Sequence, residues 1–127
     1  MSRNLRTPLA TVRGHGSAHD GTHHFIVQRL TALALIPLAL WLVIGLVCHT
    51  GASHTEFRDW VASFPVALAL ILTIIATFWH ASIGLQVVLE DYVHRSLLRM
   101  VLLMLVKGFC VTLSAAGVLS VILIAVG

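Results

Sequence analysis

His80 and a pair of residues downstream of it, Asp91 and Tyr92, are the groups in this sequence best placed to do chemistry. His80 stands inside a long apolar stretch, about 15 Å along a helix axis from Asp91. An ionisable side chain at that depth in an apolar helix is costly and is usually functional. It can relay protons, ligate a metal or a heme iron, or hydrogen-bond to a neighbouring helix. Gly84 lies one turn further on the same face, where a missing side chain leaves room for a flat macrocycle. Asp91 follows His80 by eleven residues, close to three full turns, and Tyr92 comes next. His80, Gly84, Val87 and Asp91 therefore form one stripe. A carboxylate and a phenol above a buried imidazole suit a site that handles protons and electrons. The same two residues equally suit an ordinary helix end with an interfacial tyrosine.

The remaining candidates are weaker. His15, His19 and His23 have helical spacing, but Gly14, Gly16 and Gly21 argue against a stable helix there, so no metal site is expected. His49 and His54 read as solvated loop residues and His94 as a surface residue. Cys48 and Cys110 are far apart in sequence, each in an apolar stretch, and read as two small buried hydrophobes rather than a disulfide or thiolate site.

The elements that must position His80 follow from composition. The 127 residues are 58% hydrophobic and only 10% charged, where a soluble domain of this length carries roughly 25% charge. Lipid-facing surface needs no charge; water-facing surface does. Three apolar blocks, about 30–48, 65–89 and 100–126, each approach or exceed the roughly 20 residues that cross a 30 Å hydrocarbon core. Each must be helical, since lipid offers an open backbone no partner. Pro37 is tolerated in the first block and kinks it if it acts at all. The expected fold is all-α, a three-helix transmembrane bundle forming one domain over 1–127, with a polar N-terminal segment at 1–28.

Charge sets the expected orientation. Arg3, Arg6, Arg13 and Arg29 precede the first helix, and Arg95, Arg99 and Lys107 lie around the second connection. Only Arg58 sits in the first connection, where Trp60 is placed like an interfacial anchor. The positive-inside rule then puts the N-terminus in the cytoplasm and the C-terminus in the periplasm. Lys107, inside the third helix, is expected to snorkel to the cytoplasmic interface. The net charge of +3 forms no continuous basic stripe, so no nucleic-acid partner is expected. The N-terminal stretch has no apolar core followed by a small-residue cleavage site and does not read as a secretory signal; its Arg-bearing, acid-poor composition also fits a mitochondrial transit segment. Small residues recur at Ala69, Thr73, Thr77 and Ala81, and at Gly108, Thr112, Ala116 and Ser120, as packing faces that let membrane helices approach closely. Three helices bury little by themselves, so a membrane partner is expected.

The segment His80-Ala-Ser-Ile-Gly-Leu-Gln-Val-Val-Leu-Glu-Asp-Tyr-Val-His94 resembles the signature of the hydrophobic membrane anchor subunit of succinate dehydrogenase, the smaller of its two anchors. The lead-in His23-His-Phe-Ile-Val-Gln-Arg-Leu-Thr-Ala32 resembles the same family, and the likeness covers roughly the whole chain. The resemblance implies that His80 is an axial ligand of heme b, with the second ligand on the larger cytochrome b anchor, since a low-spin heme takes two imidazoles. It implies that His23 and Arg29 approach the heme propionates, and that Asp91 and Tyr92 lie at a ubiquinone site. Tyr92 would donate a hydrogen bond to a quinone carbonyl; Asp91 would relay protons or orient a partner's arginine. The implied partners are that larger anchor, an iron–sulfur subunit and a flavoprotein subunit, in a bacterial inner membrane in preference to a mitochondrial one. No complete active site is expected on this chain alone. Two other classes fit the bare residues: a cofactor-free membrane scaffold, and a small proton-coupled transporter subunit using His80 and Asp91 as a relay.

Overall fold

A computed structural model describes residues 19–127, with side chains from Phe25 onward. All regular structure among them is helical: α1 (His19–Cys48), α2 (His54–Ala62), α3 (Phe64–Tyr92) and α4 (Ser96–Val126). Three of these helices are long and apolar enough to cross a membrane, over Phe25–Cys48, Phe64–Tyr92 and Ser96–Val126. The helices outrun the apolar blocks, because polar residues at the ends continue the backbone hydrogen-bonding pattern into the interface. α1 thus starts at His19 rather than near Leu30, running through Gly21 and Pro37. The glycine argument against helix in that region fails from His19 on; His15 and the side chains of His19 and His23 lie outside what is described.

α3 is the central helix. Its most extensive packing is with α4, then with α1, while among the described residues α1 and α4 make no close backbone approach to each other. Few of the described residues are enclosed: Val61, Ala67, Thr73, Ile83, Cys110 and Val121 are buried, whereas large side chains such as Ile36 (66% exposed) and Phe109 (65%) face outward. In water that much exposed apolar surface would drive association; in lipid it is the expected exterior.

The expected packing stripes divide. On α3, Thr73 is buried and its hydroxyl donates to the Ala69 carbonyl at 2.7 Å, and Ala69 and Ala81 are half-buried, but Thr77 is exposed. On α4, however, Gly108, Thr112, Ala116 and Ser120 all face outward. The face of α4 that meets α3 carries Cys110 and Gly117 instead, and a side chain at Gly117 would stand 3.3 Å from Ile74. Four-residue spacing alone does not say which stripe meets a neighbour within the same chain.

The first connection is not simply polar loop. Gly51 turns the chain with φ +89°, a conformation that favours glycine, and Ser53 then caps α2. The Ser53 backbone N–H donates to Glu56 Oε2 at 2.7 Å and the Glu56 N–H donates back to Ser53 Oγ at 3.3 Å, a capping box. Trp60 on α2 stacks on His49 (ring centroids 4.3 Å apart) and on Trp41 (6.3 Å), over Gly45, where an added Cβ would come within 2.7 Å of the indole. His49 is therefore packed rather than solvated, its Nδ1–H donating to the Gly45 carbonyl at 2.8 Å. His54 is exposed, but it opens α2 instead of lying in a loop. Cys48 is exposed and only Cys110 is buried, so one of the two cysteines departs from the sequence reading.

The hydrogen bond from the Ser53 backbone, and then that from its side chain, hold the Glu56 carboxyl below its usual range. The capping box thus stabilises α2 at neutral pH and is lost as acidification protonates Glu56 in the folded chain. Ser53→Ala should speed local hydrogen exchange in α2 about fivefold. Glu56→Gln should do so at neutral pH and match the parent once the pH has fallen below that carboxyl's range. Equal exchange of parent and both variants at neutral pH would show that the box contributes nothing.

Candidate functional site

His80 lies in the middle of α3, half-buried, and its ring is met from α1. Gln28 and Thr31 are three residues apart on α1, a spacing that puts both on one helix face. Thr31 Oγ1 lies 3.0 Å from His80 Nδ1, and Gln28 Nε2 lies 3.5 Å from His80 Nε2. Thr31 Oγ1 also sits 2.8 Å from the Val27 carbonyl and 3.1 Å from that of Gln28. A carbonyl can only accept, so the one hydroxyl hydrogen of Thr31 is committed to the backbone. Thr31 therefore accepts from His80 Nδ1–H, and a neutral ring then carries its lone pair on Nε2.

Among the described residues, that lone pair meets only the Gln28 amide N–H, at 3.5 Å, a length where a hydrogen bond is weak. The other end of the same amide is worse served: Gln28 Oε1 is buried and, among the described residues, has no hydrogen-bond partner. Buried polar atoms are rarely left unpaired. Gly84 flanks this amide, and a Cβ there would lie 3.6 Å from Gln28 Nε2, ordinary contact. His80, Gly84, Gln28 and Thr31 thus form one cluster between α1 and α3.

The other expected site residues stand apart from it. Arg29 is exposed, with its guanidinium 5.0 Å from the ring centre of Phe25 one turn earlier. Asp91 and Tyr92 are the last residues of α3, both exposed, Tyr92 by 79%. Among the described residues no hydrogen bond or ion pair ties Arg29, Asp91 or Tyr92 to His80. Val87 is exposed, so the stripe begins against α1 at His80 and Gly84 and emerges on the surface before Asp91. His94 is exposed in the short link to α4. The side chain of His23 lies outside the described residues.

A second feature lies between α3 and α4: a cavity of about 620 Å³ lined by residues that include Trp79, Ser82, Gln86, Lys107 and Ser114, with Val27 of α1 at its edge. Among the described residues, no cluster of His, Cys, Asp or Glu could hold a metal ion by itself. Within the α1–α3 cluster His80 is the one imidazole among the described residues. Sequence reasoning missed Gln28 and Thr31, although two polar residues three apart where the first apolar block begins were a usable signal.

The fold defines a small multi-pass membrane protein in which His80, Gly84, Gln28 and Thr31 cluster between two of the candidate membrane-spanning helices. Residues 3–126 match the succinate dehydrogenase/fumarate reductase transmembrane subunit family, and the chain belongs to that family. It is accordingly a membrane anchor, one component of an enzyme complex. Similar proteins are succinate dehydrogenase hydrophobic membrane anchor subunits: that of Rickettsia bellii is 32% identical over 122 residues, 95% of this chain and 97% of the relative. That of Rickettsia conorii is 28% identical over 121 residues, 94% and 96% of the two chains. That of Coxiella burnetii is 34% identical over 89 residues, 68% and 75%.

Proposed function

We propose that this chain anchors a succinate:ubiquinone oxidoreductase in a bacterial inner membrane, supplies one axial ligand to heme b through His80, and forms one wall of the ubiquinone-reduction site with Tyr92 and Asp91. The observation that carries the reading is the pair of contacts His80 makes with α1: Nδ1 lies 3.0 Å from Thr31 Oγ1, which a neutral ring would meet with its proton, and Nε2 has only a longer contact of 3.5 Å with the Gln28 amide among the described residues. Ligating histidines characteristically donate their other ring N–H in this way. A cofactor-free scaffold would also use His80 to bridge α1 and α3. However, a purely structural bridge has no reason to leave Gln28 Oε1 buried and unpaired, and that atom favours a site finished by something outside the chain.

The residues present fit heme on donor chemistry, provided the Gln28 amide turns away from Nε2. His80 would hold the iron from this side, with the second imidazole coming from the larger anchor subunit. Gly84 would keep the adjacent helix surface flat. Arg29 and His23 would meet the propionates, and Arg29 has no acid partner among the described residues to give up. Heme, when bound, would supply a one-electron reservoir. At the quinone, Tyr92 O–H would donate to a carbonyl oxygen and strengthen that bond as negative charge grows there. Asp91 beside it would deliver a proton or hold a partner's arginine in place. Both groups are without hydrogen-bond or ion-pair partners among the described residues, which suits a surface completed by other subunits. The N-terminus and the α3–α4 link would face the cytoplasm, where the iron–sulfur and flavoprotein subunits dock.

The deciding experiment isolates the chain with its natural partners. The purified complex should show a reduced-minus-oxidised b-type spectrum and succinate–ubiquinone activity. A complex that holds the dehydrogenase on the membrane with no such band would establish the scaffold reading instead.

A further inference from the structure

We infer that Thr31 is a positioning residue for the histidine ligand, fixing the tautomer and rotation of His80 from the neighbouring helix and thereby tuning the bound iron. The inference rests on the assignment of His80 as a heme ligand and adds a residue to it. The hydroxyl of Thr31 donates to the Val27 carbonyl at 2.8 Å, with the Gln28 carbonyl also in reach at 3.1 Å. Its oxygen is thus polarised by its own donation and left as an acceptor for His80 Nδ1–H at 3.0 Å. Hydrogen bonds in series strengthen one another in a low-dielectric interior. The opposite arrangement, with Thr31 donating to Nδ1, would leave two oxygens 2.8 Å apart with no hydrogen between them.

Two consequences follow for a neutral ring. The proton is kept on Nδ1, so Nε2 is always the nitrogen offered. The ring also cannot rotate about its own axis without breaking a bond to a different helix, so its plane is set by the α1–α3 packing. A hydrogen bond from Nδ1–H makes the imidazole a stronger donor, which favours ferric over ferrous iron. Gln28 does not share this role: its amide faces the same nitrogen that the iron would take.

The test uses the assembled complex and reads potential and spectrum rather than turnover. Thr31→Val keeps the shape and removes the acceptor. It should retain a six-coordinate heme, raise the midpoint potential and alter the electron-paramagnetic-resonance anisotropy that reports ring orientation. The expected change in the ferric/ferrous equilibrium is severalfold, with about 59 mV as the tenfold limit. Thr31→Ser restores the hydroxyl and should bring both readouts back toward the parent. If Thr31→Val fails to assemble, Thr31→Ala carries the same expectation. An unmoved potential and resonance in the hydroxyl-free variant overturns the inference, provided His80→Ala has lost the parent spectrum. A parent spectrum in His80→Ala overturns the ligand assignment itself and this inference with it.

Discussion

His80→Ala is expected to abolish the six-coordinate b-type spectrum of the assembled complex. Removing an outer hydrogen-bond partner of a metal ligand typically weakens retention about 10–100-fold, and removing the ligand should exceed that. The measurement is a reduced-minus-oxidised spectrum with heme quantified against protein. His80→Ala also strips Thr31 of its cross-helix partner and leaves the Gln28 amide with nothing to meet, at about 1–3 kcal/mol for a buried polar group left unpaired. Loss of heme could then reflect loosened packing. His80→Gln separates the two effects, since glutamine keeps a hydrogen-bonding group toward α1 but offers iron no imidazole. Both variants should lack the parent spectrum, and His80→Gln should assemble better. An unchanged six-coordinate heme in either one would eliminate His80 as a ligand.

Tyr92→Phe is expected to lower ubiquinone reduction by about 10–100-fold, the usual worth of a hydrogen bond to a group acquiring charge, while succinate oxidation by an artificial dye continues. The substitution removes one oxygen from a side chain that is 79% exposed at the end of α3, so the fold loses nothing. Because the bond would tighten as charge develops on the quinone oxygen, the loss should fall on kcat more than on KM. Equal loss of quinone and dye activity would move Tyr92 out of the quinone site.

The spans were legible because length and apolarity are properties of single segments. The short helix α2 was hidden, yet its signal was there: Ser53 and Glu56 have the spacing of a capping box, and Trp60, expected as an interfacial anchor, closes an aromatic stack over Gly45. The outward turn of Gly108, Thr112, Ala116 and Ser120 was not legible, because a repeat of small residues marks a face without naming what it meets. The same limit applied at the site. His80 announced itself as an ionisable residue in an apolar run. Its bonding to Thr31 and Gln28 depends on the register between α1 and α3, which is a relation between two segments and has no signature within either one.

The central place of α3, with α1 and α4 apart on its flanks, bears on the protein's life before assembly. A freshly inserted copy has hardly any interior of its own and carries a half-paired amide and imidazole between two of its helices. Its lifetime in the bilayer should then track the supply of the other subunits. Synthesised alone, it presents the kind of unfinished intramembrane surface that quality-control proteases remove, which would keep the stoichiometry of the complex even without matched expression.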